Sequence, residues 1–226
     1  NRLIDRHIDA ANPRTSDRAL PAGRLSPFQV GCWLLASIAL LALAAKMLNP
    51  LCFQLCPLAV FLLLLYSYTK RFTWACHLVL GLVQACAPIG GWLAVSGSWH
   101  TTPLILGAAI GLWVGGFDIL YACQDYEHDK AVGLFSIPAR FGKLGAFVIS
   151  KMFHSLALGL FLAAGICEGL GHFYFGALGA VAALLWWQHH ILRPDDLSKI
   201  QTAFFQANVA ISLCLFMGVL LEIGLN

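Results

Sequence analysis

Charged side chains are scarce in this sequence, and their scarcity excludes an ordinary soluble domain. Only 11% of the 226 residues are Asp, Glu, Lys or Arg, while 59% are hydrophobic. The mean hydropathy is +0.76. A soluble globular domain carries roughly 25% charged residues, so a chain with less than half of that complement would not stay in solution. The composition therefore predicts an integral membrane protein.

Paired cysteines are also lacking. The eight cysteines occur singly, nearly all of them inside apolar runs, and no Cys-x-x-Cys pair or Cys/His ligand spacing is present. Disulfide frameworks and zinc sites are recognised by such spacings, so neither is indicated. We interpret the cysteines as small apolar residues at helix interfaces.

Long apolar runs fill most of the chain instead. Segments of about 20 predominantly apolar residues are long enough to cross a bilayer as helices. Seven such segments are predicted to span the membrane: 27–45, 50–68, 74–95, 102–123, 144–166, 171–191 and 201–222. Pro27, Pro50 and Pro103 fall at their starts, where the missing N–H of proline costs little. The expected fold is an all-α, polytopic transmembrane helix bundle.

The charges gather at one face of this bundle. If successive helices alternate in direction, one side of the membrane receives segments 1–26, 69–73, 124–143 and 192–200, and 13 of the 14 Lys and Arg residues lie on or just inside it. This excess of basic residues predicts that the side is cytoplasmic. Nine of the eleven acidic residues lie there too, although topology gives no reason for acids to gather. The acidic residues therefore indicate a functional site on that face.

The first acidic stripe lies in "NRLIDRHID". Asn1, Asp5 and Asp9 recur at every fourth position, so on a helix their three oxygen-bearing side chains share one face. A single Asp-x-x-x-Asp pair is common on solvated helices and would mean little alone. Its weight comes from a second stripe expected at the same membrane face.

The second stripe lies in "GGFDILYACQDYEHDK". Asp118, Tyr121, Asp125 and Asp129 again follow one helical face. Asp118 lies inside an apolar segment, where a carboxylate costs about 2.5–3.5 kcal/mol at the centre of the bilayer and less near its surface. Such a cost is more readily explained by a functional site than by chance.

Facing stripes of carboxylates would repel each other unless a cation lay between them. Oxygen donors without Cys or paired His favour Mg²⁺, which combines a few carboxylates with phosphate oxygens of a substrate. The metal ligands are predicted to be Asn1, Asp5 and Asp9 from the first stripe, with Asp125 and Asp129 from the second. Basic residues beside the stripes, suited to phosphate, are Arg14, Arg18, Lys70, Arg71 and Lys130. Together these residues predict a Mg²⁺-dependent diphosphate site.

At these residues the sequence resembles the UbiA superfamily of membrane prenyltransferases. "NRLIDRHID" resembles the family's first motif, N-D-x-x-D-x-x-x-D, with Arg2 where the second Asp is usual, and "NPRTSDRALPAG" resembles its R-T-x-x-R-x-L-P-x-G signature. "YSYTKRFT" matches a Y-x-x-x-K-R-x-T stretch. "DILYACQDYEHD" matches the second motif, D-x-x-Y-A-x-x-D-x-x-x-D, and "SIPARFG" closes the loop that follows. Four motifs in the family's order make the resemblance specific.

The resemblance implies a fold of nine helices in which the first motif ends the second helix. This sequence would then hold about seven of the nine within a single prenyltransferase domain over 1–226, with two N-terminal helices missing. Residues 1–26 would form the end of the first motif and a cap loop, and residues 124–143 the loop of the second motif.

The resemblance also implies an activity. A polyprenyl group would pass from its diphosphate to 4-hydroxybenzoate, or to a related futalosine-derived acid, in ubiquinone or menaquinone biosynthesis. Asp118 would orient the acceptor or take its proton. Residues that contact the acceptor or stabilise the allylic cation would be Tyr68, Tyr121 and Arg140. The catalytic set would be Asp118, Tyr121, Asp125 and Asp129.

The expected location is the bacterial inner membrane, with the active site on its cytoplasmic face. The expected partners are the polyprenyl diphosphate, the aromatic acid and the lipid bilayer, with no nucleic acid and no obligate protein partner.

Three other interpretations of the acidic stripes are open from the sequence. An ion or metabolite transporter could use intramembrane carboxylates as a pathway, but the opposite face has almost no charge. A phosphatidyl-group transferase would need a D-G-x-x-A-R run, which neither stripe contains. A structural subunit would leave the clustered carboxylates unexplained.

Overall fold

The computed structural model describes residues 1–225, which form an all-α structure without a β-strand. The helices are α1 (Arg6–Ala11), α2 (Pro27–Leu48), α3 (Pro50–Thr69), α4 (Cys76–Ser96), α5 (Thr101–Ala122), α6 (Tyr126–Ala131), α7 (Ile137–Cys167), α8 (His172–Ile191) and α9 (Ala207–Leu225). A 3₁₀ turn at Cys123–Asp125 joins α5 to α6, and a π-helical turn at Thr202–Gln206 precedes α9. The predicted all-α bundle is confirmed.

Among residues 1–225, six segments are long and apolar enough to cross a membrane, and they contain α2, α3, α4, α5, α7 and α9. The prediction of seven spanning segments is thus confirmed for six. The seventh, α8, is a 20-residue helix close to its expected bounds but is not among these six. Its last turn is polar, with Gln188, His189 and His190 in succession.

Local sequence signals start several of the long helices. The Ser26 side chain accepts a hydrogen bond from Gln29 N, while Gln29 bonds back to the Ser26 backbone, a capping box that precedes Pro27. The Asn49 side chain caps α3 in front of Pro50, and the Ser136 side chain caps α7. These caps satisfy N–H groups that the first turn of a helix leaves unpaired.

Contacts at the two ends of the bundle agree with helices that alternate in direction. At one end Phe135 N donates to Lys70 O at 2.8 Å, which joins the loop after α3 to the loop after α6. At the other end the Asn49 amide donates to Leu93 O at 2.8 Å. The first of these ends carries both acidic stripes.

Helix α5 lies at the centre, packed extensively against α4 and α7. Gly81 of α4 and Gly111 of α5 meet backbone to backbone, so that a Cβ on Gly111 would lie 2.7 Å from Gly81 O. Small residues at such crossings let membrane helices approach closely. This close approach sets which side chains of α4 and α5 can meet further along the pair.

Replacing Gly111 by Ala is expected to destabilise the protein by about 1–3 kcal/mol, because the added methyl group meets backbone that cannot rotate away. Thermal unfolding of the purified protein in detergent should show a lower Tm. Gly91→Ala in α4 is the control, since a Cβ on Gly91 meets nothing within 4 Å. An equal Tm for the two variants would contradict the tight crossing.

Candidate functional site

Both acidic stripes line one cavity of about 150 Å³ at the charged end of the bundle. Its wall is formed by residues 1–5, by α1 and the loop after it, by the end of α3, and by α5 through α6. The residues that line it include Asn1, Asp5, Asp9, Asn12, Arg14, Thr15, Arg18, Tyr66, Ser67, Lys70, Asp118, Tyr121, Asp125, His128 and Asp129. We call it the acidic cavity.

Most carboxylates of the acidic cavity are removed from solvent. Asp9 and Asp125 are each 7% exposed and Asp129 is 2% exposed. Just before α1, the Asn1 amide donates to Asp5 at 2.6 Å, which orders the start of the first stripe. Carboxylates at such low exposure need positive partners.

Each of the four carboxylates in the two Asp-x-x-x-Asp pairs has one basic partner. Arg71 contacts Asp5 at 2.8 Å and Arg18 contacts Asp9 at 2.7 Å. Arg14 holds Asp125 through two hydrogen bonds, of 2.9 Å from Nε and 2.5 Å from Nη2. The Lys70 ammonium lies 3.8 Å from Asp129. Four of the five basic residues predicted to hold diphosphate therefore neutralise carboxylates predicted to hold metal.

These pairs also fix the charge state of the basic residues. Burial by itself would lower the pKa of the Lys70 ammonium, but Asp129 and Asp118 raise that pKa above its ordinary value overall. The pKa of Arg14 is likewise raised, because the bond to Asp125 outweighs the opposing effect of burial. Both side chains stay cationic at neutral pH.

Two small polar residues that received no role in the sequence analysis support this arrangement. The Asn12 side-chain nitrogen donates to Asp125 Oδ1 at 2.8 Å, and Asn12 Oδ1 accepts from Arg14 N at 2.9 Å. The Thr15 hydroxyl donates to Asp9 O at 2.9 Å. Both residues lie in the "NPRT" stretch, whose Asn–Pro turn could have drawn attention to Asn12.

Asp118 has a different partner. Its Oδ2 lies 2.7 Å from Nδ1 of His77, a residue of α4 that is wholly buried. Nothing in the sequence around His77 signals this contact, because the two residues are 41 positions apart. The pairing follows from the α4–α5 crossing.

Four predicted residues are not among those that line the acidic cavity: Tyr68, Arg71, Lys130 and Arg140. Lys130 is exposed, with its ammonium 3.4 Å from the Tyr126 hydroxyl. Successive residues on a helix point about 100° apart, so Lys130 turns away from the cavity that Asp129 faces. Tyr68 is 48% exposed, and Arg71 Cζ lies 5.4 Å from the centroid of its ring. Arg140 is exposed in the first turn of α7.

Arg71 reaches the acidic cavity through its partner, Asp5, although it does not line the cavity itself. Tyr121 does line the cavity, and its ring packs on Phe204 with centroids 4.2 Å apart. The Arg14 guanidinium lies 5.3 Å from the Tyr121 ring centroid. A tyrosine face is therefore available beside the ion pairs.

Comparison with known proteins decides the family, since the sequence profile of the UbiA prenyltransferase family matches residues 1–211. The chain belongs to this family. It is 34% identical over 225 residues to a 4-hydroxybenzoate solanesyltransferase from Synechocystis, covering 98% of this chain and 76% of the relative. It is 30% identical over 227 residues to a 4-hydroxybenzoate octaprenyltransferase from Vibrio cholerae, covering 99% and 78%.

Solved structures agree with the sequence comparisons. An apo structure of a UbiA homolog from Aeropyrum pernix matches with a TM-score of 0.89 at 30% identity, over 98% of this chain and 82% of the homolog. This member of the UbiA family is thus a prenyltransferase and an integral membrane protein. None of these comparisons supports the transporter alternative.

Proposed function

We propose that this UbiA-family protein transfers a polyprenyl group from polyprenyl diphosphate to the ring of 4-hydroxybenzoate, or of a closely related phenolic acid, in ubiquinone or menaquinone biosynthesis. The observation that carries the proposal is the meeting of two carboxylate pairs and their four basic partners at one cavity. The names of the Synechocystis and Vibrio relatives support the choice of acceptor.

The donor atoms of the acidic cavity fit Mg²⁺. Asp9 Oδ2 and Asp129 Oδ2, one from each stripe, are buried without a hydrogen-bond partner. Within residues 1–225 no three His, Cys, Asp or Glu side chains converge on one point, because each carboxylate is turned to its basic partner. Asn1, Asp5 and Asp9 would hold one ion, and Asp125 and Asp129 a second. The metal, when bound, would neutralise charge on the leaving diphosphate.

The chain's own residues would act on both substrates. Arg14, Arg18 and Lys70 would neutralise the diphosphate as the bond between the prenyl carbon and its oxygen breaks, with the electron pair leaving on diphosphate. The Tyr121 ring would offer its negative face to the allylic cation. The ring carbon ortho to the acceptor hydroxyl then forms the new bond, and that carbon loses its proton.

The membrane would serve both binding and chemistry. The apolar bundle behind the acidic cavity would hold the isoprenoid tail and exclude water that could capture the cation. We place the protein in the bacterial inner membrane with the acidic cavity toward the cytoplasm, because 13 of the 14 Lys and Arg residues lie on or just inside that end.

The test is an assay of the purified full chain with labelled polyprenyl diphosphate. Prenylated product is expected with 4-hydroxybenzoate and not with benzoate, which lacks the hydroxyl group that activates the ring. EDTA should abolish turnover and added Mg²⁺ should restore it. Turnover that survives chelation would refute the metal assignment, and the absence of product with every phenolic acid tried would refute the acceptor class.

A further inference from the structure

Asp118 stands apart from the other carboxylates of the acidic cavity. Among residues 1–225, the aspartates of the two Asp-x-x-x-Asp pairs each contact Lys or Arg, whereas the ion-pair partner of Asp118 is His77. Its side chain keeps 23% of its surface exposed, while that of His77 keeps none. Asp118 can thus meet a substrate in the acidic cavity, and His77 can act only through Asp118.

Asp118 also lies deeper along α5 than the diphosphate end. It precedes Asp125 by seven residues, which corresponds to about 10 Å along a helix axis. That distance is suited to a group that meets the aromatic acceptor beyond the reacting prenyl carbon. Asp125 and Asp129, by contrast, are engaged with Arg14 and Lys70.

The hydrogen bond with His77 determines which Asp118 oxygen is available. Nδ1 of His77 meets Oδ2, and within residues 1–225 no hydrogen bond occupies Oδ1. Nε2 of His77 is buried without a partner. A hydrogen on Nδ1, which both the imidazolium and one neutral tautomer of His77 carry, is donated to Asp118 Oδ2.

The close α4–α5 approach holds this pair in place. A Cβ on Gly115 would lie 3.1 Å from His77 O, so the α4 backbone at His77 lies directly against α5. His77 therefore has little freedom to move away from Asp118. Its hydrogen bond acts as a fixed constraint on the Asp118 rotamer.

We propose that His77 is a positioning residue that directs Oδ1 of Asp118 toward the aromatic acceptor, so that Asp118 takes the proton released by prenylation. The inference rests on the proposed function and deepens it. The bond between the prenyl carbon and oxygen breaks with the electron pair leaving on diphosphate, and the ring carbon then bonds to the allylic cation. The C–H bond at that ring carbon then breaks, its electrons restore the aromatic ring, and the proton passes to Asp118 Oδ1.

The experiment compares the wild-type enzyme with His77→Leu, which removes the donor at similar size, and His77→Asn, whose amide nitrogen can take the place of Nδ1. The readout is the isotope effect on kcat with 4-hydroxybenzoate deuterated at both positions ortho to its hydroxyl. In His77→Leu we expect kcat to fall by about 10–100-fold, below the full range for loss of a general base, with a larger isotope effect than in the wild type. His77→Asn should restore both values toward the wild type.

A second measurement separates positioning from folding. The KM for polyprenyl diphosphate and the thermal stabilisation by Mg²⁺ with inorganic diphosphate should be unchanged in His77→Leu, because neither depends on the direction of Asp118. If His77→Leu does not fold, His77→Met provides the same loss of the donor.

Three outcomes would overturn the proposal. The first is an unchanged kcat in His77→Leu. The second is a lower kcat with no rise in the isotope effect. The third is a loss of kcat/KM that comes entirely from a higher KM for polyprenyl diphosphate. If the wild type prenylates no phenolic acid, the proposed function has failed first, and this result is distinct from the other three.

Discussion

Asp129→Asn is expected to lower turnover by about 10²–10³-fold, the range seen when one electrostatic contact to a developing anion is removed. Asp129 is 2% exposed, and its Oδ2 is buried without a hydrogen bond, so the carboxylate is held ready for a cation. The amide has almost the same shape but no charge, and it would leave Lys70 without its partner at 3.8 Å. The measurement is kcat and KM for polyprenyl diphosphate at saturating acceptor.

Glu127→Gln is the matched control for this variant. Glu127 lies on the same short helix, α6, two residues before Asp129, but is exposed and does not line the acidic cavity. The turnover of Glu127→Gln should stay within about twofold of the wild-type value, because exposed charges contribute little. Equal losses in the two variants would point to the net charge of the loop and contradict a specific role for Asp129.

Mg²⁺ and inorganic diphosphate are expected to bind with strong positive coupling, of about tenfold or more in affinity, within the usual range for linked sites. Each ligand alone would have to open ion pairs such as Arg14–Asp125 and leave one buried charge without a partner, a costly step. When both bind, the metal takes the carboxylate and the diphosphate takes the guanidinium. Thermal shift titrations with each ligand alone and with both should reveal the coupling.

Arg14→Gln tests the same idea with metal alone, which avoids the Mg²⁺–diphosphate complex that forms in solution. Without the competing guanidinium, Asp125 should bind Mg²⁺ more tightly than in the wild type, while diphosphate binding weakens. Arg24→Gln is the control, since Arg24 is exposed and donates to the Asp17 carbonyl away from the acidic cavity. Weaker Mg²⁺ binding in Arg14→Gln would contradict competition between arginine and metal.

The fold was largely predictable because the bilayer imposes simple requirements on a sequence. Apolar length predicted the long helices, and Ser26–Pro27 and Asn49–Pro50 mark two helix starts through caps that act within a few residues. The short helix α6 lies within the predicted loop 124–143, where the helical spacing of Asp125 and Asp129 had already indicated helical geometry.

The acidic cavity was predictable in part. The helical period placed Asp5 with Asp9, and Asp125 with Asp129, on common faces, and all four line one cavity. Lys130 was predicted to bind diphosphate because it follows Asp129 in the sequence. It does not line the acidic cavity, because successive residues on a helix point about 100° apart. The ion pair of Arg14 with Asp125 joins positions 111 residues apart, and no local pattern can signal a contact of that kind.

By itself, the sequence determined that this protein is a membrane-embedded helix bundle with two acidic stripes at its charged end, because hydropathy and the helical period are local properties. Only the tertiary structure decided which basic residue neutralises which carboxylate, and that His77 rather than Lys or Arg holds Asp118. Those pairings depend on how closely α4 approaches α5 at Gly81 and Gly111, and on the path of the loop after α1. Both are set by packing between segments distant in the chain.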